Sequence, residues 1–479
     1  MDSVLPSPAP SVISPPSVYE LKQRVTPPSR SKFHIKLSSV SPNKDAEKKS
    51  KKNQVSRWVQ FQLWFNTYRK FYCIILIINL VGLVLAATGV WAYPHQYSGA
   101  LLLGNLQTAI LMRNELFLRF LYLLVNSCFA KWTPLWFRLS CTSALQHIGG
   151  IHSGCATSGC IWLTYRVVIL FIEGSNDAVL ATGITTDVAV AISIASAFPW
   201  VRNNHHNVFE RHHRFIGWLG IISTWTFVLL GDSYDLETRS MDPKGTYILR
   251  QQDFWYIFIM TILVIIPWVT VRQVKVDVEI PSPKVVILRF ERGMQQGLLA
   301  RISRGCIWEY HAFGIISEGT HAKYHYLICG VQGDFTRRLV DDPPKYLWTR
   351  QLKFAGVSNT SALYKRGIRV CTGTGLGAAL STCLQSPHWY LIWIGSDQEK
   401  TFGPTISGLI HRHLGPERVT LWDSKQRGGR PDIMKLLKEI YDSWQAEVIF
   451  ITSNYQGNKE MMEGCKQAGM PAFGTLWDF

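Results

Sequence analysis

The sequence predicts a multi-domain membrane protein: an α-helical transmembrane bundle of about six spans, a small β-barrel, and an α/β doubly wound domain. Three observations predict it. Long apolar runs fill residues 71–270. Short alternating strands with glycine turns follow from Val271. From Arg369 onward, strands alternate with helices, opening on a glycine-rich turn.

The chain has 479 residues, enough for several domains, and a formal net charge of +17. Residues 1–56 hold Pro-Ser clusters and the basic run Lys44–Lys52, with too few apolar side chains to bury. They are expected to be a disordered cytosolic tail. No apolar core of a signal peptide opens the chain, so the first span is expected to serve as the anchor. The basic charge comes with no zinc-finger spacing and no RNP-like string, which argues against nucleic acid as a partner. Positive flanks around membrane spans explain it more simply, with the lipid bilayer as the partner. None of the ten cysteines stands in a CxxC, and reduced thiols are expected.

Residues 57–270 form the expected bundle. Residues 57–70 mix aromatics with cations and suit an interfacial helix. The spans are expected at Phe71–Tyr93, about Ala100–Cys128, within Arg138–Ile172, Ala178–Val201, His213–Gly231 and Phe254–Thr270, each near the ~20 residues that cross a bilayer. Lys131, Arg138, Arg202, Arg211 and Arg214 fall on one side; Glu173, Asp177, Asp232, Asp235 and Glu237 fall on the other. That asymmetry puts both termini in the cytosol. Arg113, Asn114 and Glu115 interrupt the second span. Charges there need partners, and Arg119 or Arg166 can supply one for Glu115. A structural ion pair and a substrate site are both open.

The soluble half is expected to divide into a barrel at 271–345 and an α/β domain at 346–479. In the second, Gly373-Thr374-Gly375-Leu376-Gly377 follows the strand Ile368–Cys371. Glycines in that place let a backbone approach a pyrophosphate while the next helix offers its N-terminal amides. A tight turn without ligand is the alternative. Gly429-Arg430-Pro431 lies further on, where an arginine can pair with a phosphate. In the barrel stand Glu309-Tyr310-His311-Ala312-Phe313-Gly314-Ile315-Ile316-Ser317 and Gly333-Asp334-Phe335-Thr336.

These strings resemble the flavin segment of the NADPH oxidase and ferric reductase superfamily, roughly E-W-H-P-F-T-x-x-S with a later G-D-W-T. Glu309, His311, Phe313, Ser317, Gly333, Asp334 and Thr336 match; Tyr310, Ala312, Gly314 and Phe335 depart. The resemblance implies FAD beside His311, Phe313, Ser317 and Thr336. It also implies NADPH or NADH at Gly373, Gly375 and Gly377, with Arg430 on the phosphate side and the terminal Phe479 over the flavin. Ala378-Ala379 stand where the family has Thr-Pro, and Thr452-Ser453-Asn454 where it has Cys-Gly-Pro. Those losses put catalysis in doubt.

Heme-bearing relatives carry paired histidines about four turns apart on two helices. Here the positions four turns on from His147 and His213 are Ile161 and Phe227. An outer heme has no ligands, while an inner heme can draw on His147, His152, His206 and His213. Arg113–Tyr122, His147–Gly159 and His206–Trp218 further resemble the fungal TmpA-like integral membrane proteins and the membrane tail of some fungal adenylating enzymes. The resemblance implies a membrane flavin-dependent oxidoreductase, acting on a small, lipophilic acceptor in development or natural-product biosynthesis. A nucleotide-binding sensor or scaffold is the alternative.

Overall fold

A computed structural model of the protein describes residues 55–241, 245–306 and 309–476. Nearly all of the expected tail, together with Trp477 and Phe479, lies outside them. Helix α1 (Arg57–Trp64) is followed by α2 (Thr67–Ala87), α3 (Tyr93–Leu111), α4 (Glu115–Phe129), α5 (Leu135–His147) and α6 (Gly149–Ile172). Then come α7 (Asp177–Ser196), α8 (His206–Ser233) and α9 (Gln252–Val269). Among the described residues, five helices are long and apolar enough to cross a membrane: α2, α6, α7, Val208–Ser233 of α8, and α9. Helix α3 is less apolar but packs between α6 and α9, with Leu102 and Leu103 buried. These six form one bundle around Trp162, Leu163, Phe227, Ile257 and Met260.

The second expected span is broken, whereas α6 lies unbroken within the Arg138–Ile172 segment expected to hold the third. Helix α3 ends at Leu111, and Asn114 caps a new helix by accepting from the N–H groups of Leu116 and Phe117. Asparagine competes for backbone donors in this way, and such a cap stabilises a helix by about 1 kcal/mol. Helices α5 and α6 part at Ile148. The freed pair α4–α5 leaves the bundle and runs along the rest of the protein. Asn126 donates to Asn359, Arg119 to the Lys353 carbonyl, and Gln146 to the Gly474 carbonyl. Glu115 meets neither Arg119 nor Arg166. It pairs with Arg301 and, at 2.9 Å, with Arg350. The Glu115 carboxylate therefore joins bundle to barrel and is not an intrabundle pair.

The second half begins with β1 (Val271–Lys275), β2 (Asp277–Ser282), β3 (Val285–Glu291), β4 (Leu298–Ser303), β5 (His311–Ser317) and β6 (Tyr324–Gly330). Helix α10 (Asp334–Asp341), β7 (Tyr346–Arg350) and β8 (Phe354–Ala355) complete it. The strands form a curled antiparallel sheet in the order β1-β7-β4-β5-β6-β3-β2, with β8 on β4. Strands β7 and β8 belong to this sheet, so the boundary expected at 345/346 moves past Ala355.

The α/β unit contains β9 (Gly367–Thr372), α11 (Leu376–Gln385), β10 (Trp389–Gly395), α12 (Gln398–His413) and β11 (Val419–Asp423). It closes with α13 (Ile433–Trp444), β12 (Val448–Thr452), α14 (Tyr455–Gln467) and β13 (Ala472–Phe473). Its sheet is wholly parallel, in the order β11-β10-β9-β12-β13. Helices cover both faces, which is why β10 and β12 read as nearly continuous apolar runs rather than alternating ones.

Candidate functional site

Strand β9 is the first strand of the parallel sheet, and the chain winds outward from it in both directions. The crevice at the carboxyl ends of β9 and β12 is therefore the switch point, where such sheets bind ligands. Gly373 and Gly375 sit there. Gly373 has φ +51°, a left-handed conformation that costs a β-carbon. Gly375 lies against β12: an added β-carbon would stand 2.5 Å from the Thr452 carbonyl oxygen. Trp393 donates its indole N–H to the Gly373 carbonyl at 3.0 Å, and the Thr372 and Ser453 hydroxyls meet at 2.9 Å. These bonds hold the turn open ahead of α11. Gly377 makes only ordinary contacts with Ile328. Arg430 lies in the loop after β11, on the same edge of the sheet, exposed and with no ion pair among the described residues. Arg427 of that loop stacks on Trp422, 4.5 Å from the ring. Asp423 pins the loop's base: burial works against its charge, but four backbone N–H groups hold its carboxyl below the usual range.

The antiparallel sheet carries a cleft of about 670 Å³, within the range of cofactor pockets. Its wall includes Arg304, His311, Gly330, Gly333, Thr336 and Arg338. Thr336 caps α10 by accepting from the N–H groups of Gln332 and Gly333. The start of a helix and nearby arginines favour an anion. His311 stacks on Phe335 with ring centres 4.1 Å apart. Its buried Nε2 lacks a hydrogen bond, although Glu309 comes within 3.3 Å. That orphaned nitrogen and the cationic wall fit a ligand with a polar ring and a phosphate. Phe313 lies behind, 6.5 Å from Phe335 between ring centres. Gly330 ties the cleft to the α/β unit, since a β-carbon there would stand 3.1 Å from the Thr374 side chain.

The structure thus brings together His311, Thr336, Gly373 and Gly375, with Phe313 close behind. Ser317 stands apart. Its buried hydroxyl accepts from Met294 N–H and donates to the Gly319 carbonyl, at the other end of β5. Phe479 lies outside the described residues. Sequence reasoning missed Arg304 and Arg338 as cleft residues, because isolated arginines between strands carry no spacing signal.

Three of the four candidate heme histidines have described side chains. His147, on α5, bonds the Ser143 carbonyl, and burial pushes its imidazole below the usual range. His152 and His213 lie within electrostatic reach of each other and of Arg113. Their Nδ1 atoms contact the carbonyls of Ala109 and Ser193, which orients both rings. The side chain of His206 is outside the described residues. No group of three or more metal-binding side chains occurs among the described residues.

Comparison with known proteins agrees on the second half. Residues 357–479, the α/β unit with its leading turn, match the family model "Adenylate-forming reductase 03009, C-terminal domain". Two curated proteins of Coprinopsis cinerea are similar over 86% of this chain. Adenylate-forming reductase 06235 is 28% identical over 433 residues, and adenylate-forming reductase 03009 is 29% identical over 427. The chain spans 40% of the length of each. Among solved structures, the flavohemoglobin of Malassezia yamatoensis with bound FAD and heme aligns with a TM-score of 0.36 and 12% identity, covering 80% of this chain and 99% of its own. The ferredoxin-NADP+ reductase of Plasmodium falciparum aligns with a TM-score of 0.33 and 9% identity, covering 43% and 95%.

Proposed function

We propose that this chain is a membrane-anchored oxidoreductase that takes electrons from NAD(P)H through FAD to a small acceptor at the cytosolic face of the bundle. One observation carries the reading: the glycine turn at the switch point touches the wall of the cationic cleft, through Thr374 and Gly330. A nucleotide on one side and a flavin on the other would be neighbours. The name of both curated relatives, reductase, supports the class.

A flavin, when bound, accepts a hydride and can return its electrons one or two at a time. This chain's residues would do the rest. Gly373 and Gly375 admit the dinucleotide backbone, and Arg430 meets its phosphate. Thr336 orders the start of α10 against the flavin phosphates. The His311 Nε2, unsatisfied in the cleft, is available to the flavin ring. The apolar girdle supports the anchor: Ile77, Ile78 and Val84 of α2, Ile184 and Val188 of α7, and Leu219 and Ile222 of α8 are all exposed on the bundle surface. The charge of the loops supports a cytosolic side for both termini. The proposal contains no electron step across the bundle, because Ile161 and Phe227 stand where outer ligands would be needed.

A second reading, a nucleotide-binding sensor with weak chemistry, is favoured by Ser453. Its hydroxyl is engaged with Thr372, next to Thr452, which stands where the resembled family has its cysteine. One experiment separates the two. The absorbance spectrum of the detergent-purified chain should show flavin bands that bleach with NADPH. Flavin bands without bleaching would favour the sensor, and no flavin bands would defeat the reductase. A Soret band would show heme, and its loss in His152→Ala and His213→Ala would assign those two as ligands.

A further inference from the structure

The cleft in the antiparallel sheet is not built by that sheet alone. Arg211, from the first turns of α8 in the bundle, also lines it. Its neighbours put it there. Glu210 accepts from the Tyr310 N–H at 3.4 Å, one residue before His311, and pairs with Arg214 at 2.6 Å. The Arg214 guanidinium lies over Trp268, 5.8 Å from the ring, and Trp268 packs edge-on against Tyr310 at 6.0 Å. Positions 210 and 214 share one face of the helix, so both are held against the barrel. Arg211 projects beside them toward the cleft. It is exposed and makes no ion pair among the described residues.

The cations around it have different duties. Arg304 is engaged by the Asp342 carboxylate and by the carbonyls of Arg338 and Asp342. Arg338 completes the wall on α10. Glu309 and Asp334 line the cleft as well, so its wall carries three guanidiniums against two carboxylates, and cations in excess repel one another unless an anion lies between. The anchoring of Glu210 and Arg214 holds Arg211 there nonetheless.

We propose that Arg211 is a positioning residue that binds the phosphate portion of the dinucleotide held in this cleft. The cofactor site is then shared between barrel and bundle. This rests on the reading that the cleft takes a flavin dinucleotide. Occupancy of the cleft and seating of α8 become linked, and by reciprocity each stabilises the other. A bundle whose helix moves on binding its own ligand would change the hold on flavin.

The test uses the full chain in detergent, stripped of flavin, with fluorescence titration of FAD and of riboflavin, which lacks phosphate. Arg211→Ala should raise the Kd for FAD about tenfold, the size of one charge-assisted hydrogen bond, and Arg211→Glu should raise it further. Both should leave riboflavin binding unchanged. Arg211→Lys should recover part of the loss. Arg337→Glu, the same charge change on α10 outside the cleft wall, should matter little. Size-exclusion profiles establish that each variant is folded. Equal losses for FAD and riboflavin, or no loss for Arg211→Glu while wild type binds FAD, would overturn the role of Arg211 alone. A wild-type chain that takes up neither flavin would overturn the reading of the cleft, and this role with it.

Discussion

Breaking the Arg138–Glu447 pair should release the α/β unit from the helical hairpin α4–α5. Arg138 is buried on α5, its side chain 4% exposed, and it forks onto Glu447 with bonds of 2.8 and 2.9 Å. Its remaining donors reach the carbonyls of Thr133 and Leu363, both at 3.0 Å, and its guanidinium lies 5.7 Å from the Tyr364 ring centre. Glu447 also accepts from Lys365 N–H at 2.7 Å. Every charged atom is therefore partnered. Removing one partner of such a pair costs about 3–5 kcal/mol, because the other charge stays buried without compensation. Glu447→Gln keeps the shape and some bonding and should cost less, about 1.5–3 kcal/mol. For a unit of this size, 1 kcal/mol moves Tm by roughly 2–4 °C, so Arg138→Met should lower the transition by about 6–20 °C.

The assay is thermal unfolding of the single variants and the double variant in detergent, completed as a double-mutant cycle. Acid gives an independent check. Burial disfavours the charge on Glu447, yet Arg138 and Lys365 hold its carboxyl below the usual range. Its contribution is present above the unfolded value of 4.5 and is lost as pH falls through the folded one. The variants should therefore differ most from wild type near neutrality and converge in acid. A coupling energy under about 0.5 kcal/mol would refute the clamp, since neighbouring residues that matter to each other couple more strongly.

Other outcomes follow from single contacts. Gly375→Ala places a methyl 2.5 Å from the Thr452 carbonyl, so NADPH binding measured by fluorescence should fall at least about tenfold. Arg430→Ser should raise KM for NADPH far more than for NADH if the 2′-phosphate is the group it meets; equal effects would place Arg430 elsewhere. Burial holds Lys353 at about 8 against 10.5, although Glu115 opposes the shift. Below pH 8 it is charged in both folded and unfolded chains and its burial costs about 3 kcal/mol, a cost that disappears as pH rises from 8 to 10.5. Wild-type Tm should gain a rising component across that interval, and Lys353→Met should lack it.

The parts of the fold that sequence reveals well are those with a period. The apolar runs of the bundle and the apolar strand β10 show plainly, because burial on all sides leaves no polar position to interrupt them. The hairpin α4–α5 does not. Phe117, Leu118 and Leu121 look like membrane residues, yet Tyr122, Val125 and Leu145 pack on protein cores of the second half. Composition cannot separate lipid from protein as the apolar partner. Asn114 was the available signal, since an asparagine after a charged residue is a helix start as well as an intramembrane oddity. Tyr346–Arg350 reads equally well as either unit's strand, and only its pairing with β1 and β4 assigns it. The candidate site follows the same rule. Glycines with a backbone reason were legible, Ser317 matched a motif while serving a turn, and Arg211 came from a helix far away in sequence.

Two departures that look independent along the chain are neighbours in space. Gly314 stands at the threonine of the resembled flavin segment, and Ala378 at the threonine of its Thr-Pro. A β-carbon on Gly314 would lie 2.6 Å from the Ala378 Cα and 2.7 Å from the Gly377 carbonyl oxygen. The two backbones can meet only because position 314 has no side chain. Ala378 then spends its carbonyl on Arg369, a guanidinium buried in β9 and stacked on Phe450. The two departures therefore meet at one contact, the seating of α11 on β5. Gly314→Thr alone should lower Tm sharply, because backbone cannot move aside as a flexible side chain can. Restoring Thr-Pro at 378–379 together with Gly314→Thr should recover part of that loss, if the two positions evolved as a pair. Additive losses, measured by thermal unfolding, would show that the seating is incidental and that each departure weakened the site on its own.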